Sequence, residues 1–231
     1  MEYIKKKEIL IEKLKNFTTY SQYYEDLILF CVFYNAKNGF YIDIGANDPD
    51  RISVTKAFYL RGWKGINIEP LPEKYFSLLK SRSKDINLQI GVGDKKGNAT
   101  LYLFGGASTL YKNYLKKPNK TINIKIDTML NVCENYIQKY SKIHFCKIDV
   151  EGNEKNVLLG YDFNKCRAEV FVIESTLPLT NIPSYSSWEY ILFKNGYSFV
   201  YQYLINRFYV DNKNPTLTKK FEHVDKYLIL F

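Results

Sequence analysis

The chain has 231 residues, 46% hydrophobic and 25% charged, which on a prior of roughly 100–200 residues per domain is one ordinary globular unit and excludes disordered, collagen-like and coiled-coil classes. The formal charge of +9 raises nucleic acid as a partner, but the lysines are scattered, with only short clusters such as 5–7, 95–96 and 219–220. An excess of Lys, Asn, Ile, Phe and Tyr is also what A/T-rich codons produce, so no nucleic-acid partner is expected.

In chain order, residues 5–16 carry Ile9, Leu10, Ile11 and Leu14 among charges and read as an amphipathic helix. Residues 23–34 read as a second helix, with Ser21 and Glu25 in a capping-box arrangement. Together, over 1–36, they form an N-terminal helical cover. The apolar run 27–34 is far short of the ~18 residues a membrane span requires, and no leader with a cleavage site opens the chain, so a cytoplasmic protein is expected.

From residue 39 onward, apolar β-branched runs alternate with amphipathic ones. Strands at 40–45, 65–70 and 86–93 are separated by helices at 53–61 and 72–83. Helix 127–140, strand 143–150, helix 154–159, strand 169–175 and helix 186–194 follow. Such alternation is the mark of βαβ units and a parallel sheet. The closely spaced strands 197–204 and 206–210 read as an antiparallel hairpin closing the sheet edge. The predicted fold is α/β: a mostly parallel Rossmann-like sheet ending in an antiparallel hairpin, with 39–176 as cofactor-binding core and 177–231 as the substrate-side and sheet-closing region. Cys31, Cys133, Cys146 and Cys166 form no C-x-x-C pair and sit in apolar or helical settings, so all four read as reduced packing residues.

In an open α/β sheet, ligands bind beyond the carboxyl ends of the strands. The first strand ends in Asp43, Gly45 and Asn47, a D-x-G turn in which glycine lets the backbone approach a ligand and Asp43 accepts hydrogen bonds. Later glycines of the dinucleotide fingerprint are missing. The second strand ends at Glu69, where a carboxylate suits the two hydroxyls of a ribose. Gly91 and Val92, ending the third, are a small and an apolar residue suited to flank an adenine face. These features favour a nucleoside ligand without a diphosphate, a description that S-adenosylmethionine meets. The fourth and fifth strands end in Lys147-Ile148-Asp149-Val150-Glu151-Gly152 and Glu174-Ser175. Carboxylates crowded at adjacent strand ends imply work for them. Either Asp149 or Glu151 is a general base for a hydroxyl, or Asp149 and Glu174 hold a divalent cation such as Mg²⁺ or Mn²⁺. His144, at the start of a strand, and His223, in a C-terminal helix, are weak catalytic candidates. The loop Gly105-Gly106-Ala107-Ser108-Thr109 reads equally as a closing element or a plain connection.

The blocks SQYYEDLIL (21–29), FYIDIGANDPDRISVTKAFYLRGWKGINIEP (40–70), GVGDKKGNATLYLF (91–104), INIKIDTML (122–130), HFCKIDVEGNEKNVLLGYDF (144–163) and EVFVIEST (169–176) resemble, in order and spacing, the FkbM-type S-adenosylmethionine-dependent methyltransferases. The resemblance implies a class I methyltransferase sheet and O-methylation of a hydroxyl on a sugar or natural-product scaffold. It also implies a bacterial surface polysaccharide (capsule or lipopolysaccharide) as setting and a sugar or nucleotide-sugar as small-molecule partner. Carried over by position, Gln22, Asp43, Gly45, Asn47 and Glu69 belong to the cofactor contacts, and Lys147, Asp149, Glu151 and Gly152 to the K-I-D-V-E-G block. Asp48-Pro49 stands where many relatives have a glycine. In the tail, Trp188, Tyr201, Tyr203 and Arg207 read either as a stacking and phosphate-pairing surface or, slightly favoured, as aromatic core with surface charge. A nucleic-acid methyltransferase is the first alternative, against which no Asp/Asn-Pro-Pro-Tyr/Phe motif is present. A non-catalytic binding protein of the same fold is the second.

Overall fold

The computed structural model describes residues 2–104, 107–112, 118–137 and 142–229. It opens with α1 (Glu2–Lys15) and α2 (Glu25–Phe33), followed by β1 (Phe40–Ile44), α3 (Lys56–Leu60), β2 (Lys64–Ile68), α4 (Pro72–Ser81) and β3 (Ile86–Leu88). Four strands that lie apart come next: β4 (Gly91–Val92), β5 (Gly97–Phe104), β6 (Ala107–Thr109) and β7 (Lys120–Asp127). The alternation then resumes with α5 (Met129–Tyr136), β8 (Ile143–Ile148), α6 (Glu154–Leu159), β9 (Ala168–Glu174) and α7 (Glu189–Lys194), and ends with β10 (Tyr197–Tyr203), β11 (Asn206–Asp211), α8 (Pro215–Phe221) and α9 (Asp225–Leu228).

The main sheet has seven strands in the order β3-β2-β1-β8-β9-β11-β10. Its first five are parallel, and β11 pairs antiparallel with both β9 and β10, so the predicted hairpin does close the edge. Period-two alternation divides the side chains between two cores. Ile42, Ile44, Cys146, Ile148, Phe171 and Ile173 face the α5, α6 and α7 side. Tyr41, Phe145, Val170, Val172, Phe208 and Val210 face α2, α3 and α8, with Leu10 and Leu14 of α1 in the same cluster. Burial on both faces is why β8 reads as an unbroken apolar run: all six of its residues are buried. Among the described residues no helix is long and apolar enough to cross a membrane.

Several expectations shift. α2 begins two residues late because Tyr24 takes a left-handed φ of 60°. The carboxylate of Asp26 gathers the preceding turn, accepting from Thr19 Oγ1 (2.6 Å), Tyr20 N (2.7 Å) and Ser21 Oγ (2.7 Å), while Glu25 accepts from Tyr23 N (2.9 Å) and from Asn206 Nδ2 (2.6 Å). The single strand expected over 86–93 divides: β3 stays in the main sheet and β4 leaves it to pair with β7. With β5 and β6 these form a second, four-stranded sheet in the order β4-β7-β5-β6, absent from the sequence-based reading although Ile122, Ile124 and Ile126 alternate as a strand requires. His223 lies between α8 and α9, not inside a helix. Gly105, Gly106 and residues 138–140 of the expected helix 127–140 lie outside the described residues.

The cysteine reading is corrected for one pair. Packing of α5 beside the α6–β9 connection, marked by Leu130 N donating to Gly160 O (3.0 Å), brings Cys133 and Cys166 to a Cα separation of 6.0 Å, and they form a disulfide. Cys31 and Cys146 are free and buried.

Candidate active site

A cleft of about 730 Å³ opens at the carboxyl ends of β1, β2, β4 and β8. Its floor is the turn after β1. Gly45 N and Ala46 N donate to Ile68 O (3.0 and 3.1 Å), and Asp149 N donates to Ile44 O (3.1 Å), so the ends of β1, β2 and β8 are tied together. Gly45 has φ +79°, and a Cβ there would stand 1.8 Å from the Asp149 carbonyl oxygen; only glycine passes so close.

Glu69 is buried at one end of the cleft. Its Oε2 accepts from Asn47 N (2.8 Å) and its Oε1 from Leu71 N (2.8 Å). A carboxylate has about four lone-pair sites, so each oxygen retains one for a ligand hydroxyl. Burial raises its pKa against those backbone bonds. Ile90, Val92, Leu101 and Ile124 supply apolar flanks. A nucleoside fits this donor set: paired acceptors for vicinal hydroxyls, an apolar slot for a base, and no cradle for a diphosphate.

Of the cofactor residues named from sequence, Gly45, Asn47, Glu69, Gly91, Val92 and Asp149 all line this cleft. Asp43 and Gln22 do not. Asp43 is buried behind the floor, where its Oδ2 accepts from Thr55 Oγ1 (2.8 Å) and its Oδ1 lies 3.4 Å from Lys147 Nζ. The strand's alternation turns it inward to balance a buried ammonium. Gln22 is exposed and lines no part of the cleft, because the left-handed turn at Tyr24 carries the 21–24 segment past it.

The four catalytic candidates gather at the lip. Lys147 is buried between Asp43 and Asp149, 3.4 Å from each, and donates to Gly45 O (2.6 Å). Burial opposes its charge, but the carboxylates of Asp149 and Asp43 outweigh that and hold the ammonium above its ordinary pKa. These contacts make it a tie between loop and strand. Asp149 keeps a side chain 41% exposed to the cleft. Glu174 faces it within hydrogen-bonding reach, and burial, with the charges of Asp149 and Glu151, pushes Glu174 far above the carboxylate range. Burial beside neighbouring negative charge favours the protonated form of Glu174. Among the described residues no group of three or more His, Cys, Asp or Glu side chains is arranged to hold a metal ion. The divalent cation suggested for Asp149 and Glu174 is thus not supported. Glu151 lines the cleft in a left-handed conformation (φ 53°) with Oε2 buried and unpartnered. Burial and the neighbouring charges of Asp149 and Glu154 push it up to about 7.

Sequence reasoning missed three supports. Asn153 precedes α6, a position that reads as a helix cap, but its Nδ2 instead donates to Val92 O (2.9 Å), joining β4 to the lip. Thr109 Oγ1 donates to the Glu151 carbonyl (2.6 Å), so β6, within the loop region thought able to close over the site, forms a side wall of the cleft, to which Ser108 also contributes. Glu154 is buried beneath, accepting from Gly152 N (3.1 Å) and Val150 N (3.3 Å). His144 lies at the other end of the sheet against Trp63, with burial lowering its pKa to about 4. In the tail, Trp188 is core, and Arg207 is buried and paired to Glu189 (2.8 Å), so neither the phosphate-pairing nor the surface-charge reading describes it.

Burial raises Glu154 from 4.5 to about 7. A carboxyl group whose pKa is higher folded than unfolded favours the fold at low pH, and that contribution is lost as pH rises from about 4.5 towards 7. In Glu154→Gln, the amide oxygen keeps both backbone bonds and the titration is gone. Relative to wild type, the variant is expected to gain about 2 kcal/mol in urea unfolding between pH 5 and pH 8. Parallel pH profiles for the two proteins would refute the assignment.

A family profile described as the methyltransferase FkbM domain matches residues 43–199. No curated protein matches the chain. Similar solved structures include two methyltransferases. One is a methyltransferase FkbM from Methylobacillus flagellatus KT, at 14% identity and a TM-score of 0.49, covering 75% of this chain and 43% of that one. The other is a TehB-like SAM-dependent methyltransferase from Corynebacterium glutamicum, at 7% identity and a TM-score of 0.45, covering 83% of this chain and 89% of that one. The chain therefore spans less than half the length of the first of these. The profile match covers well over half of the present chain, so the chain belongs to the FkbM methyltransferase family.

Proposed function

We propose that the protein is a cytoplasmic S-adenosylmethionine-dependent O-methyltransferase that acts on a sugar hydroxyl in the assembly of a bacterial surface polysaccharide. The observation that carries the reaction class is the Asp149–Glu174 pair at the lip of the cleft that Glu69 closes at its other end. It offers a carboxylate whose partner already holds the proton, which suits a hydroxyl nucleophile. The polysaccharide setting rests on the family resemblance. The buried Cys133–Cys166 bond is unusual for a reducing compartment, though both sulfurs are shielded from reductant.

When bound, S-adenosylmethionine supplies a methyl group on a positively charged sulfur. Glu69 would hold its ribose hydroxyls, with Gly45 and Asn47 beneath and Gly91 and Val92 flanking the base. Asp149 accepts the hydrogen bond of the acceptor hydroxyl and takes its proton as the oxygen attacks. Glu174 keeps its own proton, donating to Asp149 and fixing its orientation. Lys147 holds Asp149 to the loop that carries Gly45. Positioning contributes most of the rate and proton removal the remainder.

Thermal unfolding with S-adenosylhomocysteine tests the cofactor. Ligand at 100 times its dissociation constant adds about 2.7 kcal/mol, a rise of roughly 5–10 °C for a chain of this size. Glu69→Ala should lose most of that rise, and NADH should produce none. No rise at saturating ligand in wild type overturns the proposal in favour of a non-catalytic protein of this fold.

A further inference from the structure

Immediately past Glu174, the chain lines a second cavity of about 750 Å³. Ser175 and Thr176 continue directly from β9, so along the chain this cavity begins one residue beyond Glu174. Its walls come from three separate stretches: Tyr23 ahead of α2, the 175–185 loop, and the turn between β10 and β11. The loop is folded back on itself by Leu177 N donating to Ile182 O (2.8 Å) and Ser184 N to Ser175 O (2.8 Å). Ser175 Oγ pins it to the hairpin turn through Ile205 O (2.6 Å), and Asn206 ties that turn to Glu25 of α2.

The polar groups facing the cavity are neutral. Thr176 is 7% exposed, and its Oγ1 is buried without a hydrogen-bond partner, which at a cavity wall marks a group awaiting one. Ser175 has spent its hydroxyl proton on Ile205 but keeps acceptor capacity. The Tyr23 phenol and the Asn181 amide add further donors and acceptors. Among the described residues, none that lines the cavity carries a formal charge. Just outside, Arg207 lies between the rings of Tyr185 and Phe199, 3.9 Å from each centroid. Its nitrogens are engaged by Tyr209 Oη, Gln202 Oε1 and Glu189 Oε2. Each nitrogen of that guanidinium is thus already engaged within the protein, and Glu174 directly precedes Ser175 of the wall. An anion entering here would be desolvated with nothing to compensate it.

We propose that this cavity is the methyl-acceptor subsite and that it selects an uncharged, polyhydroxylated ring, a neutral glycosyl unit, over a phosphorylated sugar. The inference rests on the methyltransferase reading above and adds where the acceptor sits and what charge it carries. Thr176 Oγ1 and Ser175 Oγ bond ring hydroxyls, the Tyr185 ring offers a face for sugar C–H groups, and the bound ring presents one hydroxyl towards Asp149.

The test is ligand-observed saturation-transfer NMR on the whole protein with saturating S-adenosylhomocysteine. The probes are methyl glycosides of neutral hexoses and 6-deoxyhexoses, together with the corresponding sugar 1-phosphates. At least one neutral glycoside is expected to bind, and to bind more tightly than its phosphate counterpart. Thr176→Val, which keeps shape and loses the hydroxyl, should weaken that binding about tenfold, and Thr176→Phe, which fills the cavity, should abolish it. Calorimetric affinity for S-adenosylhomocysteine should stay unchanged in both variants, which also reports that they fold. Tighter binding of a sugar phosphate, full binding by Thr176→Val, or no binding by any glycoside while S-adenosylhomocysteine binds would each overturn the proposal. Absence of S-adenosylhomocysteine binding in wild type is a separate outcome that brings down the methyltransferase reading itself.

Discussion

Asp149→Asn is expected to lower kcat by roughly 10²–10⁴-fold, the range for loss of a general base, while the affinity for S-adenosylhomocysteine changes only a few-fold. The amide is isosteric with the carboxylate, so the floor hydrogen bond from Asp149 N to Ile44 O survives, and what is lost is the acceptor for the hydroxyl proton. Glu174→Gln makes the contrasting case. Burial and the charge on Asp149 keep Glu174 protonated far above the carboxylate range, and a glutamine donates the same hydrogen bond. Most activity should therefore remain. Glu151→Gln removes a group that burial has raised to about 7, and should flatten the pH–rate profile near neutrality with a smaller loss of rate. The measurement is transfer of labelled methyl groups to an acceptor under single-turnover conditions. If Glu151→Gln carries the larger loss, the base is Glu151, and full activity in Asp149→Asn removes Asp149 from the chemistry.

Gly45→Ala should be the most destabilising methyl group that can be added to this protein's cofactor loop. Two costs combine there. A residue with φ +79° lies in the left-handed region, at a cost of roughly 1–2 kcal/mol for a side chain. The new Cβ would also stand 1.8 Å from the Asp149 carbonyl oxygen, a backbone atom that no rotamer change can move. To make room, β1 and β8 must part where Lys147 and the Ile44–Asp149 hydrogen bond join them. Gly62→Ala isolates the first cost: φ there is +83° and nothing stands within 4 Å of the added Cβ. The expected outcome is a loss of about 1 kcal/mol for Gly62→Ala and of about 3 kcal/mol or more for Gly45→Ala, a difference in melting midpoint of several degrees. Gly45→Ala should also weaken S-adenosylhomocysteine binding, and Gly62→Ala should not. Equal losses in the two variants would show that the close approach to Asp149 is not a constraint.

How much of this protein is legible in its residues depends on the range over which each feature is decided. The five parallel strands and the closing hairpin are written locally. The β8 run Ile143–Ile148 is apolar because both faces are covered, and the β9 run divides Val170 and Val172 from Phe171 and Ile173 between the two cores. The strand-end residues Gly45, Glu69 and Asp149 follow from that pattern, since a parallel strand delivers its last residues to one edge of the sheet. Asp43 shows where the rule stops: it lies two residues before Gly45, still in β1, and strand alternation points it inward to Lys147. Tertiary structure decided what depends on where distant segments meet. Buried Arg82 reaches 33 residues back to donate from Nη2 to Pro49 O (2.6 Å), bracing the cofactor loop. Cys133 meets Cys166, and Glu174 meets Asp149, whereas the spacing of these residues in the chain carries no trace of either approach. The second sheet combines both cases: Ile122, Ile124 and Ile126 announce a strand, but its pairing with Gly91–Val92 breaks the predicted third strand in two. Periodicity is a property of neighbouring residues and records which way each side chain faces. Cross-links, raised pKa values and cavity walls are set by crossover paths and by the burial they impose, so the sequence by itself determined the sheet and its chemical edge, and only the folded chain decided which of those groups hold a proton, brace a loop or face a substrate.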